Sequence, residues 1–175
     1  MKIIFLDIDG VLNNEIHFIL KSEEDRYERD GYPLCHLCSS NIKWLNYLIE
    51  KTEAKIVISS TWRKGKSVEE IAGYLVKKGF KYPKNIIDKT PSLFIGNEVK
   101  SGSGYTIPRG CEIQCWIEYN KKLLNYEYES HFHKYIILDD DCDMLYHQRN
   151  NFFRCDNYVG LTRTIAAEAI YFLNK

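Results

Sequence analysis

The stretch MKIIFLDIDGVLNN, residues 1–14, decides the fold. Within it, KIIFL (residues 2–6) is a short and nearly continuous apolar run, the pattern of a strand covered on both faces of a parallel sheet. Two carboxylates one residue apart, Asp7 and Asp9, follow it directly, and Gly10 comes next. The carboxyl end of a buried strand is where open α/β sheets bind ligands, so the pair is a candidate chemical site. Acidic residues alternating before a glycine also open EF-hand calcium loops, which need glycine at the sixth position and glutamate at the twelfth. Counted from Asp7, those positions hold Leu12 and Phe18, and the calcium reading fails.

Two further apolar runs have the same form: KIVI (55–58), which leads into SSTWR, and YIIL (135–138), which leads into DDDCD. Between them lie helical patterns. NIKWLNYLIEKT spaces Ile42, Leu45, Leu48 and Ile49 for one helix face, with Ser39 or Ser40 as the expected cap. SVEEIAGYLVKKG carries a capping box from Ser67 to Glu70, and Gly79 is placed to end its helix. CEIQCWIEYNKKLLNY and TRTIAAEAIYFLNK predict two more, the second capped by Thr162. Strands alternating with helices predict an α/β fold: a three-layer, Rossmann-like parallel sheet flanked by helices and joined by right-handed crossovers. At 175 residues a single domain spanning 1–175 is expected. No insertion is long enough for a full cap, because an independent domain needs at least roughly 50 residues.

That architecture gathers the polar tails at one sheet edge: Asp7, Asp9, Ser59, Ser60, Thr61, Asp139, Asp140, Asp141 and Asp143. Carboxylates a few ångströms apart oppose one another's ionisation, and a hard divalent cation relieves the conflict. An oxygen-only donor set without nearby histidine favours Mg²⁺, which commonly binds one or two carboxylates together with a substrate phosphate. A phosphate ester is the substrate this implies.

The motifs then resemble a known family. DIDGV resembles the first motif of the haloacid dehalogenase superfamily of aspartyl-nucleophile phosphatases, IVISS its second and YIILDD its fourth. SSTWR, RGCEIQCWI (109–117), LDDDCDM (138–144) and GLT (160–162) resemble, more narrowly, the haloacid-dehalogenase-type domain of Swiss Army Knife RNA-repair proteins. The resemblance implies Asp7 as nucleophile and metal ligand, and Asp9 as acid/base, its backbone carbonyl also on the metal. It implies Ser59, with Ser60 as the alternative, as the phosphate-holding hydroxyl, and Asp140 as the third metal ligand, with Asp139 either behind it or sharing that role, Asp143 orienting a metal-bound water. Where the family places a lysine in its third motif, the chain shows no unambiguous one. Arg109 is the best substitute, since a guanidinium grips phosphate bidentately, and Lys121 and Lys122 are alternatives inside the helix. Ser60, Thr61 and Arg63 are expected on the substrate. The function expected is a Mg²⁺-dependent phosphatase, its substrate a nucleotide or nucleic-acid terminal phosphate; a weakly active or inactive binding module on the same fold is the alternative.

Other features carry blander readings. Lys plus Arg equal Asp plus Glu at 24 each, so no net charge draws the chain to nucleic acid or membrane, although Arg63–Lys89 is rich in lysine. Aromatic residues near the long loop TPSLFIGNEVKSGSGYTIPRG, namely Tyr82, Phe94 and Tyr105, are candidates for stacking on bases. Six cysteines without a leader pattern, and no apolar run near the roughly 20 residues that span a bilayer, predict a soluble cytoplasmic protein with no obligate protein partner. Cys35 and Cys38 flank His36 in a CxxC that reads as half of a zinc site or as a redox pair, with no second such pair following; Cys111 and Cys115 read as small apolar filler, and His131 and His133 as a pair preceding a strand. Trp62 reads as a packing aromatic and Arg63 as a solvated helix-start residue or carboxylate partner, or else both face the substrate; Trp116 reads as core.

Overall fold

The computed structural model of the chain describes residues 1–20, 36–95, 105–122, 124 and 135–175. Five strands, β1 (Ile3–Leu6), β2 (Lys55–Ile58), β3 (Ile86–Lys89), β6 (Tyr135–Asp139) and β7 (Phe152–Arg154), form a parallel sheet in the order β3-β2-β1-β6-β7. A second, two-stranded antiparallel ladder pairs β4 (Phe94–Ile95) with β5 (Tyr105–Thr106) inside the segment expected as one long loop. The three strands anticipated from apolar runs are the three central ones. The edge strands β3 and β7 are only partly buried, so no continuous apolar run marks them.

Side chains alternate across β1, and each face has its own layer. Ile4 and Leu6 pack in one cluster with helices α2 (Ser39–Thr52), α3 (Val68–Lys77) and α5 (Arg163–Asn174) through Leu45, Leu75 and Ala169. Ile3 and Phe5 face the other way, onto Ile113, Trp116 and Ile117 of helix α4 (Arg109–Tyr119). Burying both faces of the same four residues makes the three-layer α/β sandwich that the pattern predicted. Among the described residues no cap domain stands over the sheet edge.

Local signals set most helix ends. Ser67 and Glu70 form the capping box of α3, and the Thr162 hydroxyl accepts the Ile165 N–H at the start of α5. Helix α2 departs from expectation, because Cys38 and not a serine occupies its cap and makes no side-chain capping bond. Helix α4 ends at Tyr119, earlier than the apolar spacing through Tyr126 implied. A short helix α1 (Glu15–Leu20) lies in the stretch that showed no clean period. Cys35, His131 and His133 lie outside the described residues. Cys38 is buried; burial raises its thiol, but the His17 hydrogen bond and the N–H groups of Asn41 and Ser40 outweigh it and bring it down to about 7.

Asn41, buried in the first turn of α2, ties two loops of the active edge together. Its amide donates to the carbonyls of Val159 (2.8 Å) and Leu161 (3.0 Å), and its carbonyl accepts from Asn14 (2.7 Å). Gly160 passes so close that a Cβ would stand 2.7 Å from the Val11 carbonyl oxygen, and its φ of +68° is one that L side chains rarely adopt. Replacing Asn41 by Ala leaves these buried groups without partners, which costs about 2–4 kcal/mol. Urea unfolding of Asn41→Ala against the parent is expected to show that loss.

Candidate active site

The parallel register assembles the site. Leu6 stands opposite both Ile58 and Leu138, and the ladder runs one step further: the Asp7 N–H donates to Leu138 O (2.9 Å) and the Ser59 N–H to Leu6 O (2.8 Å). Asp7, Ser59 and Asp139 therefore share one row at the carboxyl edge. All three are buried.

Oxygens of Asp7, Asp139 and Asp140 lie within 4.8 Å of one another. Burial raises the Asp7 pKa despite Arg109, the Ser60 hydroxyl and the Ile8 N–H (2.6 Å), all of which favour its ionised form. Burial, and then the Asp7 charge, push Asp139 up to about 8. Asp139 Oδ1 accepts the Asp141 N–H (3.1 Å), whereas its buried Oδ2 has no hydrogen-bond partner among the described residues. Three hard oxygen donors and an unpartnered buried carboxylate oxygen fit a divalent cation of the Mg²⁺ type. Cys155 lies beside this cluster, but burial and the nearby carboxylates raise its thiol far above neutrality, so it stays protonated.

Gly10 makes room for the third carboxylate. Its φ is +67°, and a Cβ there would fall 2.2 Å from Asp140 Cγ. Asp140 thus rests directly on the turn that follows Asp7. Asp9 has its carboxylate outside the three-carboxylate cluster. Its side chain is clasped by the Trp62 indole N–H (3.0 Å), Asn13 Nδ2 (2.8 Å) and the Thr61 hydroxyl (3.4 Å).

Of the three cations considered for the third motif, the structure brings Arg109 to Asp7. Its Nη2 stands 3.3 Å from Asp7 Oδ2, and its buried Nη1 has no partner among the described residues. Burial opposes its charge, but Asp7, Asp139, Glu112 and Asp143 outweigh that and raise its pKa. Lys121 and Lys122 fall beyond the far end of α4, about 16 Å along the helix axis. Lys121 pairs there with Glu118.

Two side chains have roles other than those expected. Asp143, expected to orient a metal-bound water, accepts the Arg109 backbone N–H (2.7 Å) and thereby caps α4. Arg63, expected on the substrate, is buried and turned inward: it donates to the carbonyls of Ser60, Thr90 and Pro91 and pairs with buried Glu112. Glu112 also accepts the Leu93 N–H (3.0 Å), fastening the strand that follows β3 to α4. Ser60 accepts the Trp62 N–H and bonds Asp7, while Ser59 Oγ is buried without a partner among the described residues.

Asn13, Trp62, Glu112 and Gln148 carry the site's scaffolding and were not singled out for it. Gln148 donates to Gly110 O (3.0 Å) and accepts the Leu145 N–H (2.9 Å), seating the start of α4 where a Gly110 Cβ would collide with Leu145 N at 2.4 Å. Tyr82 packs against the core beside Phe80, ahead of β3 and so at the sheet edge opposite the site. Lys77, Lys78 and Lys81 lie toward that same edge, and Lys89 donates to the carbonyls of Arg63 and Lys66; of the lysine-rich segment, Lys64 borders the opening beside Arg109. The side chains of Phe94 and Tyr105 lie outside the described residues.

A parallel sheet bearing a DxD turn on its central strand, a buried hydroxyl on one neighbour and an acidic pair on the other defines a haloacid-dehalogenase-type site. Residues 3–166 match the family described as the HAD domain in Swiss Army Knife RNA repair proteins, and the chain belongs to that family. No curated protein gives a match. No helix among the described residues is long and apolar enough to cross a membrane.

Because Gly10 is the floor under Asp140, Gly10→Ala should lower divalent-cation affinity at least tenfold by titration calorimetry while leaving the far-UV circular dichroism unchanged. Unaltered affinity would show that Asp140 is not a ligand.

Proposed function

We propose that the protein is a Mg²⁺-dependent phosphatase that hydrolyses a phosphomonoester through an aspartyl-phosphate on Asp7, acting on nucleotide or nucleic-acid terminal phosphates. The observation that carries this reading is the pair of buried, unpartnered polar atoms flanking Asp7, Ser59 Oγ and Arg109 Nη1. Buried donors without partners are costly, and a phosphoryl group placed against Asp7 would satisfy both. The RNA-repair setting in the family's description supports a nucleic-acid end as substrate.

In this scheme an Asp7 carboxylate oxygen attacks phosphorus and the bond to the leaving oxygen breaks, dividing one hard hydrolysis into two displacements. Arg109 and the Ser59 hydroxyl hold the non-bridging oxygens, where charge develops in the transition state. Asp9 protonates the leaving oxygen, then takes a proton from the water that attacks the same phosphorus and frees inorganic phosphate. Its carboxylate is exposed enough to meet both leaving group and water, and Trp62, Asn13 and Thr61 fix its direction. Mg²⁺ held by Asp7, Asp139, Asp140 and the Asp9 carbonyl would neutralise the carboxylates and polarise the phosphate.

Asp7→Asn should abolish phosphate release from an aryl phosphate while preserving the fold; full residual activity would overturn the assignment. Excess chelator should silence the parent protein and added Mg²⁺ should restore it. Trp62→Phe keeps an aromatic ring but removes an Asp9 donor, so kcat is expected to fall about tenfold, a part of the roughly 10²–10⁴ that positioned acid–base catalysis supplies. That loss should grow as the leaving group becomes more basic, because only poor leaving groups need the Asp9 proton; a uniform loss would mark Trp62 as merely structural.

A further inference from the structure

Two openings border Arg109. The smaller, about 170 Å³, is lined by Thr61, Lys64, Leu93, Ile107 and Glu112, and Arg63 on that side is engaged internally. The larger, about 690 Å³, contains Asp7 itself and extends over Arg154, Asn157 and Tyr158. Ligand pockets run from roughly 300 to 1,000 Å³, so only the larger opening accommodates a leaving group of any size.

Its far wall carries two side chains that the proposed chemistry does not use. Arg154, at the end of β7, donates Nε to the Asp140 carbonyl (3.1 Å); its two terminal nitrogens make no hydrogen bond or ion pair among the described residues. Tyr158 is 53% exposed, and its ring makes no aromatic or cation–π contact there. Its backbone is nonetheless pinned on both sides: the N–H donates to Asp156 Oδ1 (2.8 Å) and the carbonyl accepts from Ile16 (3.1 Å). A flat ring on a fixed turn and a half-free guanidinium, both bordering the nucleophile's cleft, form a platform for a planar group and a clamp for an anion. Asp141 and Asp156 share the wall, where their carboxylates offer acceptors to hydroxyl groups and oppose a densely charged ligand such as a pyrophosphate.

We propose that this cleft is a nucleotide subsite, in which Tyr158 stacks on the base of the terminal nucleotide and Arg154 binds the phosphodiester linking it to its neighbour. The inference deepens the phosphatase reading and rests on it only for the position of the terminal phosphate beside Asp7.

The test uses the full chain with Mg²⁺. Asp7→Asn protein, which should not turn over, is titrated with a fluorescent single-stranded trinucleotide phosphorylated at either end, and anisotropy is read. Adding Tyr158→Ala should weaken binding about tenfold, the lower range of a base–aromatic stack, while Tyr158→Phe should retain it. Arg154→Gln should flatten the slope of log affinity against log salt by about 0.7, the value for one contact to a single strand. With Asp7 intact, Tyr158→Ala should lower the ratio of kcat/KM on the trinucleotide to that on ribose phosphate. Should the parent release no phosphate while these binding effects appear, the phosphatase reading falls and the subsite stands. Should phosphate be released from ribose phosphate as readily as from the trinucleotide, with binding and ratio unmoved by either substitution, the subsite falls and the phosphatase reading stands.

Discussion

Three carboxylates, Asp7, Asp139 and Asp140, offer oxygens within 4.8 Å of one another, the first two brought side by side by the parallel register and the third seated against Gly10. Asp7 cannot move without breaking the ladder to Leu138, and Asp139 is itself the last residue of β6. With burial and Asp7 pushing Asp139 up to about 8, the edge is electrostatically incomplete with protein groups alone. Arg109 offsets part of that charge through Asp7, and the remainder is what the proposed cation would neutralise.

Much of the surrounding structure serves to keep Arg109 against Asp7. The guanidinium begins on the first residue of α4, so its position is set by the start of that helix and not by a flexible stem alone. Asp143 caps the helix, Gln148 bonds the Gly110 carbonyl, and the absence of a Cβ at Gly110 allows the helix start to rest on Leu145. One turn further along, Glu112 joins Arg63, which grips the carbonyls of Ser60, Thr90 and Pro91. A buried pair such as Arg63–Glu112 adds little stability over an apolar replacement, yet losing either partner leaves a buried charge and typically costs several kcal/mol. Its use here is geometric: it locks the turn carrying Ser60, Thr61 and Trp62 to the helix carrying Arg109.

The central sheet was legible because three strands are buried on both faces and therefore read as apolar runs, each closing on the residues that make the site. Strands β3 and β7 were not, since an edge strand half open to water needs no such run. Among site residues, those whose part is set by backbone position, Asp7, Ser59 and Asp139, could be placed from a strand end alone. Residues whose part depends on a partner distant in sequence could not. Arg63 looks like a substrate cation until Glu112, 49 positions on, claims it, and Asp143 looks like a metal-site acid until the Arg109 N–H meets it. Trp62 was ambiguous for the same reason: it is 9% exposed, as a packing aromatic should be, while its one polar atom faces Asp9. A capping signal for α4 was available in principle, because Pro108 cannot cap through its side chain and the helix start needed an acceptor from elsewhere.

The same carboxylate edge also bears on how the site distinguishes substrates. Among the described residues no cap domain stands over it, and what they offer for selection lies in the walls of the cleft. Arg154 binds the Asp140 backbone through Nε, so the residue proposed to bind the cleft's occupant is also tied to the peptide that carries a carboxylate of the cluster. A ligand drawing on the terminal nitrogens of Arg154 would hold the guanidinium in place and, through Nε, the peptide that carries Asp140. One drawing only on Asp7 and Arg109 would leave that link unengaged. On this geometry, recognition of the leaving group and positioning of Asp140 are joined by a single hydrogen bond, a route by which the remote part of a substrate can contribute to stabilising the transition state at phosphorus.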